Sequence, residues 1–190
     1  RDLVRSRGLG DVYKRQILEK FGTLDVNLMY IGAKNNVFNS HVEFFSKMKK
    51  GTLYGLTPLV NETACGPDFY EEAKKSGHYI ELDPAMSMEE AKEYANKMDV
   101  LYTDTWVDME FFNNPAYQKQ KEETLAKMMP YQLNGDFTKD SKAIVFHDMP
   151  MHVGFEISQD VVDKNLDHIL DEAENRRHAE KAVMYTLLNS

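Results

Sequence analysis

The feature that most restricts the fold of this chain is an alternation, sustained along most of its length, of short apolar runs with amphipathic stretches. Residues 25–31 (DVNLMYI) form an apolar run bounded by turn residues, and a polar GAKNN segment (32–36) and an amphipathic stretch (37–48) follow. That order predicts strand, loop, helix. It then repeats as a strand over 52–57, a helix over 67–76 with Pro67 in its first turn and Gly77 at its stop, and a short strand over 79–82. Ser87 and Glu90 have the spacing of a capping box for a helix reaching about residue 97. A strand over 99–103, a polar aromatic-rich loop, a helix over 118–128 and a strand over 143–147 complete the pattern. Strands alternating with helices predict an α/β fold, a three-layer Rossmann-like arrangement with an open, mostly parallel sheet and helices on both faces. Ligands of such sheets bind outside the carboxyl ends of the strands, and three distinctive segments fall there: 32–36, 104–110 and 147–150. The first of them reads GAKNN, so the G-x-G-x-x-G loop of a dinucleotide site is not present.

Composition narrows the function classes. At 190 residues the chain is long enough for one well-buried domain, and a formal charge of −8 with no basic stripe argues against a nucleic-acid partner. A cationic ligand suits it better. Cys65 is the only cysteine, so no internal disulfide is open to it, and no apolar run approaches the roughly 18 residues of a membrane span. A cytoplasmic location is the default expectation. Residues 1–16 (RDLVRSRGLGDVYKRQ) carry five Lys/Arg against two Asp/Glu in an otherwise acidic chain and show no helical or strand period. They also lack the apolar core of a targeting peptide, so they are read as a non-native lead and the domain as residues 17–190.

Several side chains in the three segments are suited to chemistry. The carboxamide of Asn36 can donate to a carboxylate and accept from an amine, although paired Asn residues also cap helices and turns. Asp104, at a strand end, is suited to holding an ammonium, and the single Trp, Trp106, to packing beneath the loop that follows. His147, Asp148 and His152 do not have a recognised metal-ligand spacing, so no metal is expected. In the C-terminal stretch Ala179, Val183 and Leu187 keep helical spacing, which predicts a packing face.

Four motifs together resemble the ornithine carbamoyltransferase family. Phe146-His-Asp-Met-Pro150 is similar to its His-Cys-Leu-Pro, and Asp171-Glu-Ala-Glu-Asn-Arg176, read as opening a helix, to its D-E-A-E-N-R. The segment from Gly32 to Ser40 is similar to G-D-x-N-N-V-x-N-S, and that from Tyr102 to Glu110 to Y-T-D-V-W-V-S-M-G. The resemblance implies that Asn36, Asp104, Asp108 and Met109 contact the amine acceptor. It implies that His147, Met149 and Arg176 bind the carbamoyl phosphate, with His147, Asp148 and Arg176 catalytic and the Met149–Pro150 bond cis. It further implies transfer of a carbamoyl group from carbamoyl phosphate to ornithine, giving citrulline for arginine metabolism, with no cofactor and with a homotrimeric full-length protein.

The chain departs from the family pattern at two places. Asp148 stands where the family has Cys, and Asp108-Met109-Glu110 where it has Ser-Met-Gly. An Asp repels an α-carboxylate and attracts a second ammonium, so a diamine or modified ornithine is the alternative acceptor. A non-catalytic amino-acid-binding relative is the third reading. The Ser-x-Arg-Thr and His-Pro-x-Gln segments with which the family binds carbamoyl phosphate do not occur here, so 17–190 is expected to be the acceptor (Asp/Orn)-binding domain alone, a fragment without activity of its own.

Overall fold

The computed structural model describes residues 14–107 and 109–189, the side chains of Met109 and Glu110 excepted. Five strands, β1 (Asn27–Lys34), β2 (Thr52–Val60), β3 (Tyr79–Glu81), β4 (Val100–Thr103) and β5 (Ile144–His147), form one sheet in the order β3-β2-β1-β4-β5. Every pairing is parallel. The helices are α1 (14–21), α2 (Asn36–Met48), α3 (Pro67–Lys74), α4 (Met88–Ala95), α5 (Met109–Phe112), α6 (Gln118–Met128) and α7 (Gln159–Leu188). The expected three-layer, Rossmann-like α/β fold is the one observed.

The period-two alternation of β1 builds both layers. Leu28 and Tyr30 point to the face covered by α2 and α3, where Phe38, Phe45 and Tyr70 pack, and Met29 and Ile31 point to the face covered by α4 and α7, where Ala91, Ala95 and Ile169 pack. Gly55 in β2 is required by the first of these layers: a Cβ there would come within 2.7 Å of the Phe38 ring. The chain leaves β1 towards β2 and β3, then returns to the opposite side of β1 with β4. This reversal opens a crevice at the carboxyl ends of β1 and β4.

The observed elements depart from the expected ones in four ways. First, β1 and β2 run on to Lys34 and Val60, because Ala33 and Lys34 pair with Leu59 and Val60 after a register irregularity beyond Ile31. Gly32, a loop signal in sequence, is a strand glycine at that irregularity. Second, α7 begins at Gln159 rather than at Asp171, with Val161, Val162 and Ile169 buried on its inward face ahead of the expected start. Third, the predicted packing face of its last turns is uncovered in this chain: Val183 is 43% and Leu187 71% exposed, and Ala179 alone is buried. Fourth, the boundary expected after residue 16 falls inside α1, where Gln16 is enclosed, accepts a hydrogen bond from Asn175 Nδ2 at 2.6 Å and donates to the His168 carbonyl. No helix among the described residues is long and apolar enough to cross a membrane.

Candidate active site

The carboxyl ends of β1, β4 and β5 lie side by side, and each delivers a polar side chain. Asn35, just beyond β1, caps α2 by accepting from Phe38 N–H at 2.9 Å, while its Nδ2 donates to Asp104 Oδ2 at 2.8 Å. Asp104 follows β4 directly and also accepts from the Thr105 backbone N–H. Burial raises its pKa, against the lowering influence of His147 and of its hydrogen bonds. Asn36 is exposed in the first turn of α2, and its backbone N–H donates to Thr63 Oγ1 at 3.2 Å. Beneath these groups Tyr30 and Tyr102 stack with ring centroids 5.8 Å apart.

At the end of β5, His147 is fully enclosed. Its Nδ1 accepts from the Met149 N–H at 3.0 Å, which places the ring proton on Nε2, facing Glu156 Oε1 at 3.2 Å. The Met149–Pro150 bond is cis. Asp148 accepts from Arg176 Nη2 at 2.8 Å, with side-chain exposures of 13% for the Asp and 43% for the Arg. Burial pushes the Asp148 carboxyl up to about 7; the charge of Asp104 adds to this, and Arg176 and His147 oppose it.

Arg176 is positioned by α7, and α7 is fastened to the sheet by Glu172, one turn earlier. Glu172 accepts from the Tyr102 hydroxyl at 2.7 Å and from the His147 backbone N–H at 3.1 Å, so one carboxylate ties together β4, β5 and α7. Burial pushes its pKa up to about 8, against the hydrogen bond from Tyr102. Beside the crevice lies a cleft of about 410 Å³ whose walls include Val60, Thr63, Trp106, Phe111, Tyr117 and Lys121. Trp106 is buried there. α5 docks through Phe112, stacked on the His152 ring at 3.6 Å, while Lys121 donates to the Phe112 carbonyl.

Of the residues singled out in sequence, Asn36, Asp104, His147, Asp148, Met149 and Arg176 fall within this region. Asp108 lies outside the described residues, and Met109 is placed only by its backbone, as the first residue of α5. Sequence reasoning passed over Asn35, Tyr102, Glu156 and Glu172. An acid four residues before Arg176 on the inward side of a helix was the available signal for Glu172.

Fold and site together define a doubly wound α/β ligand-binding domain with a carboxylate-lined crevice closed on one side by a guanidinium. The chain belongs to the aspartate/ornithine carbamoyltransferase family, residues 24–187 matching the Asp/Orn binding domain. It is 34% identical over 170 residues to an ornithine carbamoyltransferase of Chlorobaculum tepidum, covering 87% of this chain and 46% of that protein. An ornithine carbamoyltransferase of Pyrococcus horikoshii is 35% identical over 188 residues, covering 90% and 52%. The solved ornithine carbamoyltransferase of Pyrococcus furiosus superimposes with a TM-score of 0.74 at 28% identity, over 93% of this chain and 54% of that one. The chain thus spans about half the length of the curated relatives it matches.

Proposed function

We propose that this chain is the acceptor-binding part of a carbamoyltransferase that moves the carbamoyl group of carbamoyl phosphate to the amino group of ornithine or a related amine. The observation that carries the reading is that Asp104 and Asp148, at the ends of the adjacent strands β4 and β5, meet Arg176 of α7, which donates to Asp148, with Asn36 exposed beside them. In this reading the amine nitrogen attacks the carbamoyl carbon, the carbon–oxygen bond to phosphate breaks, and phosphate leaves. Arg176 stabilises the charge developing on the carbonyl oxygen. His147, enclosed with its ring N–H facing Glu156, orients its end of β5, while Met149 offers its backbone carbonyl. Asp104 and Asn36 hold the acceptor, and Asp148 is placed to take the proton lost by the attacking ammonium.

Asp108 and Asp148, which stand where the family pattern has a serine and a thiol, favour a diamine or modified ornithine as the second reading. Turnover of the full-length enzyme with carbamoyl phosphate and ornithine, putrescine or N-substituted ornithines separates the two. A strong ornithine preference that Asp108→Ser leaves unimproved sinks the diamine reading. The purified 190-residue chain by itself is expected to be inactive, since catalysis of this kind requires both substrates to be clamped in register. Carbamoylation of any amine by that chain at the rate of the whole enzyme would refute this.

A further inference from the structure

Asp148 and Arg176 form an ion pair of unequal burial, the carboxylate 13% exposed and the guanidinium 43%. The single hydrogen bond between them, 2.8 Å from Nη2 to Oδ1, is charge-assisted and therefore among the stronger kinds. The acid also feels the like charge of Asp104, and Arg176, followed by His147, offsets it. Removing the cation while the acid stays ionised leaves a poorly solvated carboxylate beside a second one, and uncompensated buried charge is strongly unfavourable. Arg176 sits on the more exposed side of the pair, on a long side chain that can turn without moving α7. The guanidinium is therefore the mobile partner, and the carboxylate the fixed one.

Resting on the carbamoyltransferase reading, we propose that Asp148 couples acceptor binding to Arg176: it holds the guanidinium while the acceptor site is empty and releases it to an incoming primary ammonium. The ammonium takes over the charge compensation of Asp148, and Arg176 becomes available for a carbonyl oxygen only then. The coupling selects against uncharged acceptors of the same shape, because these cannot replace the guanidinium at Asp148. It is a property of the carboxylate at 148, and a thiol or amide at that position abolishes it.

The test follows the Arg176 side chain in the 190-residue chain by nitrogen-15 NMR, with Arg176→Lys assigning its signal. In the wild type, guanidinium rotation is expected to be at least roughly tenfold slower than in Asp148→Asn or Asp148→Cys, the two variants guarding against misfolding of either. Adding 1,4-diaminobutane or ornithine to the wild type brings rotation to the rate seen in the variants, and 1,4-butanediol leaves it slow. Equal rotation in wild type and both variants, or release by the diol, overturns the coupling. Shifts at Asn36 and Asp104 on amine addition, with Arg176 still restrained, overturn the coupling while leaving the acceptor reading intact. No response to either amine at Asn36, Asp104 or Arg176 removes the acceptor reading and the coupling with it.

Discussion

The inner and outer halves of the crevice are built differently. Asn35, Asp104, His147 and Glu172 are each buried to 9% exposure or less, and each is held by hydrogen bonds to a neighbouring element. Asn36 and Arg176 stand in the open, one on the first turn of α2 and the other midway along α7. Interior polar groups of this kind are expensive unless fully paired, so they fix the geometry of the strand ends. The outer groups are cheap to leave in water and free to meet a ligand. Asp148 lies at the border, partnered on the outer side by Arg176 and flanked on the inner side by His147 and Asp104. One of the two departures from the family pattern thus falls on the border between the buried and the more open polar groups.

The comparison breaks most visibly if an outer residue proves to be structural. Arg176→Ala in the full-length enzyme is expected to lower kcat by roughly 10²–10³, the scale of losing one donor to a developing oxyanion. Stability at pH 6 changes little, because the carboxyl left behind takes up a proton, its pKa already pushed up to about 7. Steady-state kinetics beside a thermal melt read both quantities. A large melting shift with turnover preserved would move Arg176 into the scaffold.

Glu172→Ala is the inverse case. It removes the acceptor on which the Tyr102 hydroxyl and the His147 backbone N–H, two buried donors, now converge, for a loss of about 2–3 kcal/mol. Urea unfolding should show a lower midpoint with an unchanged slope. Smaller again is the contrast within the Asn pair. Asn35→Ala removes a helix cap and the amide that faces Asp104, costing about 1 kcal/mol and raising KM for the amine, whereas Asn36→Ala should leave stability untouched and raise KM alone. Equal melting of the two variants would erase the distinction between the halves.

The same division accounts for what was legible in sequence. The sheet could be read from its apolar runs because burial on both faces demands them, and the capping box at Ser87 and Glu90 is present as expected, because its reciprocal bonds depend on local spacing alone. The chemically distinctive residues Asn36, Asp148 and Arg176 stood out through their motifs. Of the inner polar residues Asp104 and His147 stood out in the same way, but Tyr102 and Glu172 did not, since they lie 70 positions apart and only the folded chain brings them together. Gly32 misled because a bulge and a turn share one signal, and α7 was shortened because the motif that marked it starts only at Asp171, while Val161, Val162 and Ile169 ahead of it carry the inward face. At the last turns of α7 periodicity was right about the helix, and Val183 and Leu187 stay exposed in this chain, because spacing specifies a face and not the partner that buries it.

The smallest expected effect is a slope in stability with pH, and it sharpens the inner half in particular. Glu172 is raised from an ordinary value of 4.5 to about 8 and Asp148 from 3.8 to about 7, so the folded chain binds these protons more tightly than the unfolded one. Their contribution to stability is complete below the unfolded values and is lost as pH rises through the folded ones. His41 acts oppositely: burial lowers it from 6.5 to about 4, so its contribution is present above 6.5 and lost as pH falls. The two influences oppose each other below pH 6.5. Between 6.5 and 8 the carboxyls act without that opposition, and stability should fall with rising pH, at no more than about 1.4 kcal/mol per pH unit for each proton released. Glu172→Gln keeps an acceptor for the His147 N–H and removes the titration, so its unfolding free energy should fall less steeply across this window, with the slope from Asp148 remaining. Parallel slopes in wild type and variant would mean that Glu172 is already ionised at neutral pH, and that the knot joining β4, β5 and α7 is held by a charge rather than by a shared proton.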